Sequence, residues 1–372
     1  MTEFIRIPKK IIFVCNARDY HAMDWYHSIK KLYPSSRIII VTDLIEGEGY
    51  QKLITDNDEV YSLFKIDKFL FSTQSVWGNK WRNLLKLLFL PMQLLVFNRL
   101  RKKYPDAVVH AHTMYYMLLC YLSKISFIGT PQGSEILVRP RRSRIYKYFA
   151  KRSLQVAKII TVDSVNMADK IFEMVGKRVE ILQNGIDSDK ILSIVDSNVV
   201  RESVISIRGM ARLYQIADIV KARDNSETKP PLRYIYPFCE NDYEIQIKQC
   251  SSKDDRFLAR LAGKTELYRE YNKALLAISI PISDSSPRSV YEAIFCGCCM
   301  AVTYNKWIDI LPNCMRKRLF IINLNDNLWF DKALSYAKRI TKIPYKPSLE
   351  AIEKYDQYKI AEFLVKKIYT QY

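Results

Sequence analysis

Short runs of consecutive apolar residues, rich in Ile and Val, recur along this chain and fix what it can fold into. In the first half they are IIFVC (11–15), RIIIVT (37–42), AVVHA (107–111), SFIGT (126–130), KIITV (158–162) and VEIL (179–182). In the second half they are SVISI (203–207), LRYIYP (232–237), LLAISIP (275–281), CMAV (299–302) and LFII (319–322). A run that is apolar at consecutive positions is a strand buried on both faces, as in a parallel sheet. Segments with helical spacing, such as YQIADIVKARD (214–224) and SLEAIEKYDQYKIAEFLVKKI (348–368), separate them. Strand and helix in alternation predict a doubly wound α/β architecture. The rhythm breaks over residues 183–203, where Asn-Gly and Asp-Ser turn signals precede a fresh strand. A domain boundary is expected near residue 190. Two such domains in tandem are expected to face a cleft at the carboxyl ends of their sheets.

Eight cysteines show no regular spacing, which favours a reducing compartment over a disulfide framework. The opening MTEFIRIPKKIIFVCNA has too short an apolar run for a signal peptide. The longest apolar run, Leu84 to Phe97, has 14 residues with Lys86 and Pro91 inside, too short to span a bilayer. A cytoplasmic protein is expected. Its charge is uneven. The whole chain carries +19, and residues 70–160 hold 16 Lys/Arg against Asp106 and Glu135, a net +14. An anionic partner surface follows. No nucleic-acid module is visible and the aromatic residues form no stacking platform. The segments 77–105 and 139–158 mix aromatic, aliphatic and basic residues, the make-up of a peripheral contact with the inner face of an anionic membrane. A helix packed on the sheet with a solvated basic face has the same make-up.

The segment SDSSPRSVYEAIFCGCC (283–299) holds two acids eight residues apart, Asp284 and Glu292. A strand runs into it, Ser285 or Ser286 is a good N-cap, and Pro287 suits a first helical turn. The turn Ser286, Pro287, Arg288, Ser289 would then offer free N–H groups to a diphosphate. Eight helical residues span about 12 Å, too far for the carboxylate pair of a retaining hydrolase. Acceptors for sugar hydroxyls on either side of a phosphate remain, as does a capping Asp with a solvated Glu. LAGKT (261–265) lacks the first glycine of a phosphate-binding loop. His110 and His112 share a strand face, but no further ligands complete a metal shell. CGCC (296–299) reads as small packing residues.

SDSSPRSVYEAIFCG resembles the E-x7-E segment of retaining glycosyltransferases with the GT-B fold, specifically the family 4 group. PDAVVHAH (105–112), GTPQGSEIL (129–137), ILQNGID (181–187) and SVISIRGMARLY (203–214) resemble that group's other segments, in the same order, over roughly residues 100–310. The resemblance implies two Rossmann-like domains. Residues 1–190 would form the acceptor side and 191–354 the donor side, with a final helix at about 355–372 packing back on the first. It implies a metal-independent, hexosyl-type transferase that retains anomeric configuration, with a nucleotide-sugar as donor substrate and no cofactor. A glycan or lipid-linked acceptor in surface polysaccharide or glycolipid synthesis would complete the reaction. By the same resemblance Glu292 would hold the ribose and Asp284 the donor sugar, while Ser286, Arg288 and Ser289 would form the phosphate turn. Arg208 would pair with the diphosphate, His112 would lie near the reacting carbon, and Gly133 would make a tight turn there with Glu135 close by.

Three departures stand out. The first acid is Asp rather than Glu. The lysine usual after the diphosphate arginine is absent at Tyr214 and Gln215, leaving Lys264 as its replacement. CNARDYHAMDWY (15–26) stands in place of a Gly-rich loop, so Arg18, Asp19, His21 and Asp24 either meet the acceptor or begin a capped helix. The missing lysine and loop also fit a catalytically inactive GT-B scaffold.

Overall fold

The computed structural model describes residues 7–17, 19–43, 53–63, 84–196 and 198–372. The chain forms two compact units, one of residues 1–184 with 357–372 and the other of residues 185–356.

The first unit holds β1 (Lys10–Val14), β2 (Arg37–Thr42), β3 (Glu59–Ser62), β4 (Val108–His112), β5 (Ile128–Thr130), β6 (Ile159–Val162) and β7 (Glu180–Ile181). They lie in the order β3-β2-β1-β4-β5-β6-β7, and all pairs are parallel. The second unit holds β8 (Ser203–Ser206), β9 (Leu232–Tyr236), β10 (Arg256–Ala259), β11 (Ala274–Ser279), β12 (Cys299–Thr303) and β13 (Leu319–Ile322), in the order β10-β9-β8-β11-β12-β13, again all parallel.

Both faces of each sheet are covered. On β1, Ile12 and Val14 enter one core while Ile11 and Phe13 enter the other. Ile205 and Val204 of β8 divide likewise in the second unit. Successive strand residues point to opposite faces, so only a run apolar at every position can feed two cores. Each buried Ile or Val contributes about 1.5–3 kcal/mol.

β3 and β10 stand outside the eleven apolar runs. Each lies at a sheet edge and is only part-buried. EVYS carries Glu59 and Ser62, and RFLA opens on the exposed Arg256, so these short strands lack the continuous apolar signature. The expected helix over 348–368 is interrupted. A helix Leu349–Tyr355 ends at Asp356, and the next, Gln357–Phe363, begins in the other unit. Asp356 ties this corner down, accepting from the Ser188 hydroxyl at 2.6 Å. Beyond it, Leu364, Val365, Ile368 and Tyr369 pack in the same core as the helix Tyr20–Leu32. Among the described residues no helix is long and apolar enough to cross a membrane.

Candidate functional site

In the second unit the chain runs outward from β8 through β9 to β10, returns to β11, and runs outward the other way through β12 and β13. The loops after β8 and β11 therefore part at their carboxyl ends, which is where open α/β sheets bind ligands. Arg208 follows β8, and Asp284 follows β11.

These two residues meet. Arg208 Nη2 lies 2.7 Å from Asp284 Oδ2, with both side chains largely buried. Arg208 Nη1 donates to Ser289 Oγ at 3.1 Å, and its guanidinium sits 4.8 Å from the centre of the Tyr214 ring. The Ser285 N–H donates to Asp284 Oδ1 at 3.0 Å, and Asn305 Nδ2 donates to the Asp284 carbonyl at 2.9 Å. Burial raises the Asp284 carboxyl above its ordinary pKa, and the Arg208 charge opposes this only in part.

The helix Arg288–Phe295 starts here. Its N-cap is Pro287 rather than Ser285 or Ser286, and no side chain caps it. Pro287 has a non-helical ψ of 84°, so the first helical residue is Arg288. The buried Ser286 hydroxyl instead lies 3.4 Å from the Tyr291 hydroxyl.

Glu292, on the second turn, is buried and not solvated. Its Oε1 pairs with Lys264 Nζ, accepts the Tyr268 hydroxyl at 3.2 Å and lies 3.5 Å from Arg288 Nε. Lys264 begins the helix Lys264–Lys273 after β10, and its ammonium is part-exposed. Tyr268, four residues on, shares its helix face. That spacing was the sequence signal for Tyr268; Asn305 had none, because β12 alone brings it to Asp284. A cavity of about 280 Å³ opens beside Asp284, lined also by Gln215, Thr303, Tyr304, Asn305 and Trp307. This is near the lower end of ligand pockets, about 300–1,000 Å³.

In the first unit, His112 ends β4 and is buried against Phe13 (ring centres 4.5 Å apart) and Trp25 (5.3 Å). Its Nε2 has no hydrogen-bond partner among the described residues. Burial first, and then the nearby His21, push its pKa down to about 3, so the ring is neutral. His110 is packed, with Nδ1 at 2.7 Å from the Tyr369 hydroxyl and Nε2 at 2.7 Å from Thr130 Oγ1.

Asp19 caps the helix Tyr20–Leu32, accepting the His21 N–H at 3.1 Å. His21 itself is exposed, and Arg18 lies outside the described residues. Gly133 opens the short helix Gly133–Leu137. Glu135 is a buried cap: it accepts the N–H groups of Gln132 (3.0 Å) and Met114 (2.9 Å). Both bonds fall on Oε2, and Oε1 lies 3.5 Å from Arg139 Nη1.

Cys296, Cys298 and Cys299 are buried, and burial raises all three thiols, the latter two to about 12. Among the described residues no group of three His, Cys, Asp or Glu side chains is placed to hold a metal.

The basic belt divides. Lys86 turns inward and pairs with the buried Asp43. The helices Leu90–Lys103 and Arg144–Val156 both pack on the helix Met114–Leu122. Ile145, Tyr148 and Phe149 are nonetheless 74%, 55% and 38% exposed. They form one stripe at helical spacing, among the exposed Arg141, Arg142, Arg144 and Lys147. Trp77 and Trp81 lie outside the described residues.

No protein-family model matches the chain, and no curated protein matches it in sequence. Solved structures do match it in fold. The Anabaena protein HepE, solved in complex with UDP and glucose, shares 11% identity at a TM-score of 0.65, covering 97% of this chain and 99% of its own. Sucrose-phosphate synthase from Thermosynechococcus elongatus shares 10% identity at a TM-score of 0.72, with 98% of each chain covered. A putative UDP-N-acetylglucosamine 2-epimerase from Listeria monocytogenes shares 11% identity at 0.59, covering 98% of this chain and 96% of its own. At such identities the likeness is one of fold: two parallel α/β units of the kind found in GT-B glycosyltransferases.

Proposed function

We propose that this protein is a glycosyltransferase that moves a sugar from a nucleotide-sugar donor to a glycan or lipid-linked acceptor with retention of configuration. One arrangement carries the reading. Two basic side chains, Arg208 and Lys264, and two carboxylates, Asp284 and Glu292, surround one helix start at the carboxyl ends of β8 and β11. Arg208 and Lys264 take the diphosphate and stabilise the charge that develops on it, work that otherwise falls to a metal. Glu292 accepts from the ribose hydroxyls. Asp284, beside its cavity, accepts from hydroxyls of the sugar. The bond between the anomeric carbon and phosphate oxygen breaks, the acceptor oxygen bonds to that carbon from the same face, and its proton passes to the departing phosphate. This balance needs no separate base.

The donor of this reading is a uridine diphosphate sugar, by analogy with HepE and its UDP. The first unit carries the acceptor side. Its exposed Ile145–Phe149 stripe among arginines and lysines suits an anionic membrane face, where a lipid-linked acceptor for surface glycan synthesis resides. A cytoplasmic enzyme peripheral to the inner leaflet follows.

The test pairs calorimetry with product analysis. UDP is expected to bind, and incubation with UDP-sugars and membrane lipid is expected to release UDP and glycosylate the lipid. Arg208→Lys keeps the charge and loses the planar fork, so turnover is expected to fall more than UDP affinity. Absence of UDP binding overturns the donor assignment. Epimerised UDP-sugar with no glycosylated lipid overturns the transferase reading in favour of an epimerase.

A further inference from the structure

A second cavity, of about 640 Å³, lies in the same unit. Arg201 and Glu202 precede β8, Leu275 lies at the start of β11, Gly297 precedes β12 and Arg318 precedes β13, and all of them line it. It therefore opens at the amino ends of the strands, the opposite edge of the sheet from Arg208 and Asp284.

Its wall is basic. Arg201, Arg318, Lys338 and Lys342 line it against one acid, Glu202. Among the described residues no carboxylate lies within ion-pair distance of any of the four. Arg318 is only 4% exposed. Burial, and then the charge of Arg201, push its guanidinium down from its ordinary pKa. Like charges converging in a part-buried space repel unless something negative answers them.

Part of the answer is internal. Arg201 donates to the carbonyls of Ala274 (3.2 Å) and Cys296 (2.6 Å), and Arg318 to those of Gly297 and Ile340 (both 3.2 Å). These carbonyls close the helices Lys264–Lys273, Arg288–Phe295 and Trp329–Ile340. Helix carboxyl ends carry partial negative charge, so the two arginines are suited to cap them. Capping accounts for Arg201 and Arg318. It does not account for Lys338 and Lys342, exposed on the same opening, nor for a space in the middle of the ligand-pocket range. The remaining wall is apolar, with Leu275, Phe295 and Tyr345.

We infer that this cavity is a binding site for a small organic anion, with a phosphate or carboxylate head held by Lys338 and Lys342 and an apolar body against the wall that Leu275, Phe295 and Tyr345 form. The site is separate from the donor site. The two share the helix Arg288–Phe295, whose first residues face Arg208 and Glu292 and whose closing carbonyls hold Arg201 and Arg318.

Phenyl phosphate is the probe, titrated calorimetrically in an Arg208→Ala background that removes the donor-side contact. One saturable site is expected, tighter than for inorganic phosphate. Lys338→Glu with Lys342→Glu, which alters only exposed side chains, is expected to weaken it by about tenfold or more. Thr341→Trp, which fills the cavity without changing charge, is expected to weaken it as well. The inference fails if the Arg208→Ala protein shows no saturable binding, or if the double lysine variant binds as before. Inorganic phosphate binding as tightly as phenyl phosphate overturns the organic-anion assignment. Carboxylate and phosphate sources separate by repeating the titration with benzoate.

Discussion

Arg208 and Asp284 hold each other 2.7 Å apart across the ends of two adjacent strands, so the cation proposed for the diphosphate is already engaged by the acid proposed for the sugar. Lys264 and Glu292 repeat the arrangement between the two helices that flank β11. Each acid thus fixes the position of a cation before any donor arrives, and a donor must share or displace both pairs.

Glu292→Ala is expected to weaken UDP binding by more than tenfold, because a hydrogen bond to a charged acceptor is worth about 1.5–3 kcal/mol. Asp284→Ala is expected to lower turnover more than affinity for UDP alone. Equal UDP affinity in wild type and Glu292→Ala, by calorimetry, rules out the ribose assignment.

Lys264→Met leaves the buried Glu292 without its ammonium, keeping only Tyr268 and Arg288. Stability is expected to drop by about 1 kcal/mol, the low end for a charged partner, because the lysine is 42% exposed and partly screened. Denaturant melts read this directly. A loss of UDP affinity with no stability change would assign Lys264 to the ligand alone.

Asp284 sets a pH dependence. Its folded pKa lies above the unfolded value, so between the two the folded state holds a proton that the unfolded state has lost. Stability from this group therefore falls as pH rises through that window. Asp284→Asn is expected to melt higher than wild type at neutral pH and equally at pH below both values. A variant that melts lower at neutral pH would show that the Arg208 pair outweighs burial.

His112 and His110 act in the opposite sense. Burial pushes both pKa values down, His112 to about 3. Below the unfolded value of about 6.5 the unfolded chain takes up protons that the folded chain refuses, and stability is lost as pH falls. His112→Gln is expected to flatten the acid limb of a stability profile between about pH 6 and 4. Turnover in the same window should show no ionisation of His112; an inflection abolished by His112→Gln would overturn the neutral assignment.

The first unit is expected to bind anionic vesicles at low salt. Each Lys or Arg near such a surface contributes about 1 kcal/mol, within a Debye length of about 8 Å at physiological salt. Replacing Arg141, Arg142, Arg144 and Lys147 by Gln is expected to abolish cosedimentation at low salt. Replacing Ile145 and Phe149 by Ser removes any binding that survives about 0.5 M salt. No binding at any salt would assign the stripe to a protein partner.

The run of apolar residues at every strand position determined the two parallel sheets, because burial on both faces leaves no polar position to spare. Strands β3 and β10 escaped it because they are short, only part-buried and interrupted by polar or charged residues. That Asp284 and Arg208 follow strands and Glu292 lies on a helix was legible, because a strand, a turn and a helix start place residues locally. Which cation answers which acid was not. Lys264 stands 28 residues before Glu292 and reaches it only because its helix, which leads into β11, packs beside the helix that follows β11. Glu135, expected close to the turn at Gly133, gives one oxygen to two backbone N–H groups and the other to Arg139. The amino-end cavity left no trace in the sequence at all: Arg201, Arg318 and the pair Lys338 and Lys342 come from three separate segments, and only the order of the strands brings their charges to one opening.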